Sequence, residues 1–282
     1  MSVRPAAVAG TWYPGTRGAL AREVDSYLDA ASDGPRGQIT AIIAPHAGIM
    51  FSGPVAAFAY KAAARGAYDA VVLAGPSHFV PFEGVALYPD GAFDSPFGPA
   101  WIDTAIAGSF AAAPGVQAMP APHVREHSLE MQLPFVRRLL PDAAIVPLLM
   151  GFQSRETIEQ LANALTASLR GTRSLIVAST DLSHYFDAAT AAALDARVQD
   201  RVGAFDPEGL IALADEYPES ERGRYVGCGI GPAISVMMAA RALGARNARV
   251  LKYAHSGEVS GDYDGVVGYM AAVMGTFDSN AD

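Results

Sequence analysis

Residues 39–48 read ITAIIAPHAG, a short β-branched run that stops at Pro45 and delivers His46. The same design recurs at 69–79, DAVVLAGPSHF, where Val71, Val72, Leu73 and Ala74 lead to His78. It recurs again at 174–184, SLIVASTDLSH, which ends in Asp181 and His184. Runs of this length without polar alternation read as strands buried on both faces, the signature of a parallel sheet covered by helices. In an open parallel sheet the loops at the carboxyl ends of the strands converge on one crevice. Three runs that each end in an imidazole or a carboxylate therefore aim those groups at one site.

The rest of the chain fits a layered α/β fold, a single domain spanning 1–282 with a mostly parallel central sheet flanked by helices. Further strands are expected at 85–89, 143–150, 249–256 and 266–274. Helices are expected at 17–31, 53–65, 102–113, 154–169, 188–203, 207–215 and 228–243. Residues 127–140, HSLEMQLPFVRRLL, place Leu129, Leu133, Val136, Leu139 and Leu140 at helical spacing, and Pro134 divides them into a kinked helix or two short ones.

Composition narrows the function. The 282 residues are 51% hydrophobic, enough for a substantial core, and carry a net charge of −9. An acidic chain without a basic cluster excludes nucleic acid and an anionic membrane surface as partners. No stretch reaches the roughly 20 apolar residues of a membrane span. The opening MSVRPAAVAGTWYPG (1–15) lacks the apolar segment of a secretory leader, and the single cysteine allows no internal disulfide, so a cytoplasmic location is expected.

The chemistry-bearing candidates are His46, His78, Asp181, His184 and Cys228. Neutral imidazole is the commonest metal ligand, and thiolate and carboxylate complete typical sites. A lone histidine after a strand is more often a packing residue, but three such coincidences favour function. His123 and His255 lack a comparable setting; His127, beside Glu126 and Glu130, is intermediate. Asp181 doubles as a candidate cap of the following turn. Cys228 lies in GRYVGCGIGPAI (223–234) at a helix N-terminus, where the dipole and free N–H groups favour a thiolate. The spacing is not GxGxxG and there is no GxSxG, which argues against a dinucleotide loop and a serine hydrolase. Trp12 and Tyr13 are either residues of the pocket mouth or core aromatics.

With these motifs assembled, the chain resembles the Memo family, whose bacterial and archaeal members are named AmmeMemoRadiSam system protein B. The resemblance is carried by AGTWYPG (9–15), IIAPHAGIMFSGPVAAFAY (42–60), GPSHF (75–79), EHSLEMQLPF (126–135), STDLSHY (179–185) and CGIGPA (228–233). It implies a fold similar to class III extradiol dioxygenases, non-haem iron enzymes that cleave catechol rings. It further implies a metal pocket on His46, His78 and Cys228, with His184 as acid/base residue and Asp181 beside it. Cysteine stands where the dioxygenases have glutamate, which puts ring cleavage itself in question and strengthens zinc or copper as alternatives to Fe(II). Three functions follow. The first is metal-dependent redox chemistry on a small molecule. The second is a non-catalytic module that binds a protein, peptide or other phosphorylated or anionic ligand in the same pocket. The third is a zinc-dependent hydrolase.

Overall fold

Strands Gly37–Ala44, Ala70–Pro76, Ala144–Met150 and Ser174–Ser179 form where the apolar runs lie, and every residue of Ala70–Pro76 is buried. The computed structural model describes residues 2–277. Its main sheet has nine strands in the order 184–186, 266–277, 37–44, 174–179, 70–76, 144–150, 85–87 and 116–118, with 247–255 paired beside 266–277. The four central strands are parallel neighbours. Antiparallel pairings flank them on both sides. The Asn247–His255 and Val266–Phe277 strands are antiparallel because the 256–265 connection is too short for a parallel crossover.

Helices cover both faces of the sheet, as its doubly buried strands require. Ile49–Ala63 packs on the Gly37–Ala44 and Val266–Phe277 strands, with Arg17–Ala30 and Leu133–Leu139 against it. Ile230–Ala242 packs on the central strands with Arg155–Leu169 and Pro207–Ala214 against it. Among the described residues no helix is long and apolar enough to cross a membrane.

Most predicted elements form within a few residues of their expected ends. The Ile49–Ala63 helix starts four residues earlier than the sequence suggests and carries Pro54 in its interior, where the missing N–H leaves the Met50 carbonyl without its usual helical partner. Residues 127–140 split at Pro134 into the 3-10 turn Glu130–Gln132 and the helix Leu133–Leu139. The helix Glu219–Tyr225 buries none of its residues, so it left no apolar period to read. A small sheet of Val3–Arg4, Ala92–Phe93 and Ala100–Trp101 is likewise too short to show alternation.

That small sheet starts an N-terminal strap that crosses the molecule toward the strand ends. The Arg4 and Glu130 side chains, 2% and 0% exposed, pair at 2.6 Å. Arg4 also donates to the carbonyls of His123 and Glu126, while Glu130 accepts from the backbone of Ala7 and Val8 and from the Tyr13 hydroxyl. A buried pair of this kind is costly to break from one side, because the remaining charge stays desolvated. Glu130→Ala is expected to lower unfolding stability by roughly 3–5 kcal/mol in urea titrations and to free the strap, changing Trp12 fluorescence. Unchanged stability would show that the strap is held elsewhere.

Candidate metal centre

The parallel register brings three chain ends level. Ala44 pairs with Ser179, and Ala74 with Ala178. His46, His78 and Asp181 each stand two residues beyond the end of their strand. Cys228 arrives from the other side, two residues before the Ile230–Ala242 helix. Its neighbours make the approach possible. Gly227 has φ +151°, and a Cβ there would meet the Asp181 carbonyl at 2.7 Å. A Cβ on Gly229 would collide with the Ser179 carbonyl. Gln153 pins the turn, donating to the Cys228 carbonyl at 2.6 Å and accepting from Gly231 N–H at 2.7 Å.

His46, His78 and Cys228 bring one donor atom each within 4.8 Å of the others. The Cys228 Sγ to His46 Nε2 distance is 3.1 Å. Donors held at roughly 2.0–2.3 Å from a common ion lie close enough together for this set to fit one. The hydrogen bonds behind the rings settle which nitrogen faces the site. The Ser179 hydroxyl has one proton, and the Ser128 carbonyl, 2.7 Å away, can only accept it. Ser179 Oγ must then accept from Gln132 Nε2 and from His46 Nδ1, both at 2.8 Å. Gln132 is oriented by the Pro45 carbonyl on its nitrogen and by the Tyr60 hydroxyl on its oxygen. His46 Nδ1 thus carries hydrogen whatever the charge of the ring, and Nε2 is the nitrogen that faces Cys228, donating to the thiolate when protonated and free to ligate a metal when not.

Glu126 does the same for His78. It accepts the His78 ring N–H at 2.9 Å and the backbone N–H groups of His78, His127 and Ser128 at 2.6–2.9 Å. Burial opposes its charge, but these bonds outweigh burial and push its pKa down to about 2. His78 Nε2 therefore turns to the site. Glu126, His78 and His127 also lie within 4.8 Å of one another. With four N–H groups already on Glu126, that trio serves as support rather than as a second centre.

Electrostatics ready the thiol. Burial disfavours a Cys228 thiolate, yet the charge and hydrogen bond of His46, aided by His78, bring its pKa down to about 6. Burial also disfavours a charged His78, while its bonds to Cys228 and Glu126 raise its pKa to about 10. Burial dominates at His46 and lowers its pKa.

A cavity of about 540 Å³ opens over these donors, bounded also by Asp181, His184, Trp12 and His127. Asp181 Oδ1 accepts the His46 backbone N–H at 2.7 Å, and burial raises its pKa. Asp181 and His184 both line the cavity, and His184 Nδ1 is buried without a hydrogen-bond partner among the described residues. Trp12 and Tyr13 part company. Tyr13 is 3% exposed and bonded to Glu130, whereas Trp12 is 39% exposed and lies on the His127 ring at 4.4 Å. His127 in turn stacks on His78 at 4.5 Å, and burial pushes its pKa down to about 4, so it is neutral. Sequence reasoning left His127 and Glu126 unresolved and missed Ser179. The segment EHSLE held the signal for the first two, a carboxylate beside a histidine ahead of an apolar face. His123 and His255 lie outside this cavity's wall.

A mixed α/β sheet with two strand-end histidines and a helix-start cysteine gathered into a His2Cys cluster defines a candidate metalloprotein. The Memo-like protein profile matches residues 4–273. The chain is 36% identical to the MEMO1 family protein MK0963 of Methanopyrus kandleri, covering 96% of this chain and 98% of that one. It is 34% identical to the MEMO1 family protein MTH_45 of Methanothermobacter thermautotrophicus, covering 95% and 98%. The chain belongs to the Memo family. Among solved structures, an uncharacterized protein, JW3007, from Escherichia coli K12 matches the fold with a TM-score of 0.59 and 14% identity, over 85% of this chain and 100% of that one.

Two outcomes test this geometry. In metal-free protein the single cysteine is expected to titrate near pH 6, being a fast-alkylating thiolate above that pH and a slow thiol below it. A midpoint near the ordinary 8.5 would contradict the imidazole contacts. Glu126→Gln keeps the shape but loses the charge that orients His78, and competitive chelator titration is expected to read metal affinity 10–100-fold weaker.

Proposed function

We propose that this Memo family protein is a metal-dependent redox enzyme acting on a small molecule, with His46, His78 and Cys228 as ligands of one divalent metal, Fe(II) first. The observation that carries the reading is the fixed orientation of both imidazoles, each bonded at Nδ1 and turning Nε2 toward the thiol. A ring tied down at one nitrogen is a pre-oriented ligand at the other. Bound there, Fe(II) supplies the electrons and open coordination positions that O2 chemistry requires.

The chain's own residues supply the rest. His184 lines the same cavity, and in this reading its imidazole takes or returns a proton at a substrate hydroxyl. Asp181 fixes His46 through its backbone and stands beside His184 in the cavity wall. Trp12 and His127 offer flat apolar surface to the substrate body and narrow water's access. The thiolate favours one competing reading: two imidazoles, a thiolate and an open position also suit zinc and a hydrolytic water, and copper accepts the same donors. The lone cysteine and acidic chain accord with a cytoplasmic protein.

Elemental analysis of protein purified without added metal decides first. About one ion per chain is expected, lost in His46→Ala/His78→Ala; unchanged metal in that variant sinks the assignment. Zinc alone would shift the reading to hydrolysis. Oxygen uptake with a panel of catechols is expected to require Fe(II) and to fall by about 10²–10⁴-fold in His184→Ala with iron still bound. Ligand binding that persists without metal, with no turnover, would favour a binding module.

A further inference from the structure

The cavity over the His2Cys cluster has one Arg or Lys in its wall, Arg224. It is the last-turn partner of Arg222 in the Glu219–Tyr225 helix, and the two do different work. Arg222 is spent on anchoring: it donates to the carbonyls of Ala214 and Tyr217 and to Asp215 Oδ1 at 2.7 Å. Two helical positions further on, a side chain points to nearly the opposite side of the helix, since each residue turns about 100°. Arg224 accordingly faces the cavity. Its guanidinium lies over the Phe186 ring at 4.7 Å and near the Tyr225 ring at 5.8 Å. A guanidinium stacked on an aromatic plane keeps its donor edge available, and that edge matches a carboxylate with two parallel bonds. Among the ion pairs of the described residues none involves Arg224.

The platform is significant because Phe186 ends the short His184–Phe186 strand. Arg224 is thereby mounted on the segment that carries His184. Between them Tyr185 holds a left-handed φ of 61°, a conformation a bulky residue adopts only when its surroundings impose it, and its ring stands 71% exposed at the cavity edge.

We propose that Arg224 selects the substrate, holding a carboxylate at the cavity mouth while the flat body of the molecule lies between Tyr185 and Trp12. The inference rests on the reading that this cavity takes the substrate. A singly charged carboxylate fits better than a phosphate dianion. One guanidinium balances one charge, phosphate sites ordinarily gather several free cations, the His78 ring is already answered by Glu126 and Cys228, and the Asp181 carboxyl shares this cavity. The cavity's 540 Å³ suits a small molecule rather than a folded peptide.

Calorimetric titration of benzoate, benzamide and phenyl phosphate into the full chain tests this, both metal-free and after loading with Zn(II). Benzoate is expected to bind at least about tenfold more tightly than its neutral isostere benzamide and than phenyl phosphate. Arg224→Gln is expected to erase that preference while leaving benzamide unchanged, and Arg224→Lys, which keeps the charge but not the fork, to retain only part of it. Equal binding of benzoate and benzamide, a preference that survives Arg224→Gln, tighter binding of phenyl phosphate, or no binding of any probe would each overturn the inference. Because the metal-free arm needs no ion, a preference seen there supports Arg224 even if the metal assignment fails. Bound metal without the preference leaves the metal assignment standing and removes Arg224.

Discussion

The Ser179 hydroxyl has a single proton, and the Ser128 carbonyl takes it. Much of the site follows from that constraint. Ser179 is fully buried at the end of a central strand, so its remaining lone pairs must be filled by donors, here Gln132 and His46. Three segments far apart in sequence are thereby locked together, and the His46 ring is fixed in position with Nε2 toward the site. Glu126 imposes the equivalent constraint on His78 with a carboxylate that can only accept. The two imidazoles reach the site as prepared donors because of groups that never touch it.

Cys228 depends on a different kind of constraint. No strand delivers it; a glycine turn does, squeezed against the carbonyls of Ser179 and Asp181 where a side chain would collide. Gln153 holds that turn from behind by bonding on both sides of the helix start. The thiol lands where two imidazoles lower its pKa despite burial, which is the condition for a ligand rather than an inert core cysteine. The helix N-terminus foreseen from the sequence contributes the approach direction, while the imidazoles contribute the charge.

The central strands were legible because residues buried on both faces leave unbroken apolar runs, and the histidines were legible because they close those runs. Short or exposed elements were not. The Glu219–Tyr225 helix has no buried face and the strap's strand has two residues, so neither carries a period. Strand direction at the sheet margins was also hidden, since periodicity does not encode it; for the 247–255 and 266–277 pair the short 256–265 connection decides it. Glu126 was visible as a carboxylate beside His127, yet its bond to His78 spans 48 residues and has no local mark.

By itself the sequence determined the layered α/β fold, the strand-end positions of His46, His78 and Asp181, and the glycines that free Cys228 to approach. Those are consequences of burial and backbone conformation, which act through neighbours in the chain. The tertiary structure decided which ring nitrogen faces the site, that Trp12 lies at the cavity while Tyr13 is buried, and that Arg224 rather than Arg222 looks inward. Each of these turns on a hydrogen bond or a packing contact between distant segments, and such partners exist only once the chain has closed on itself.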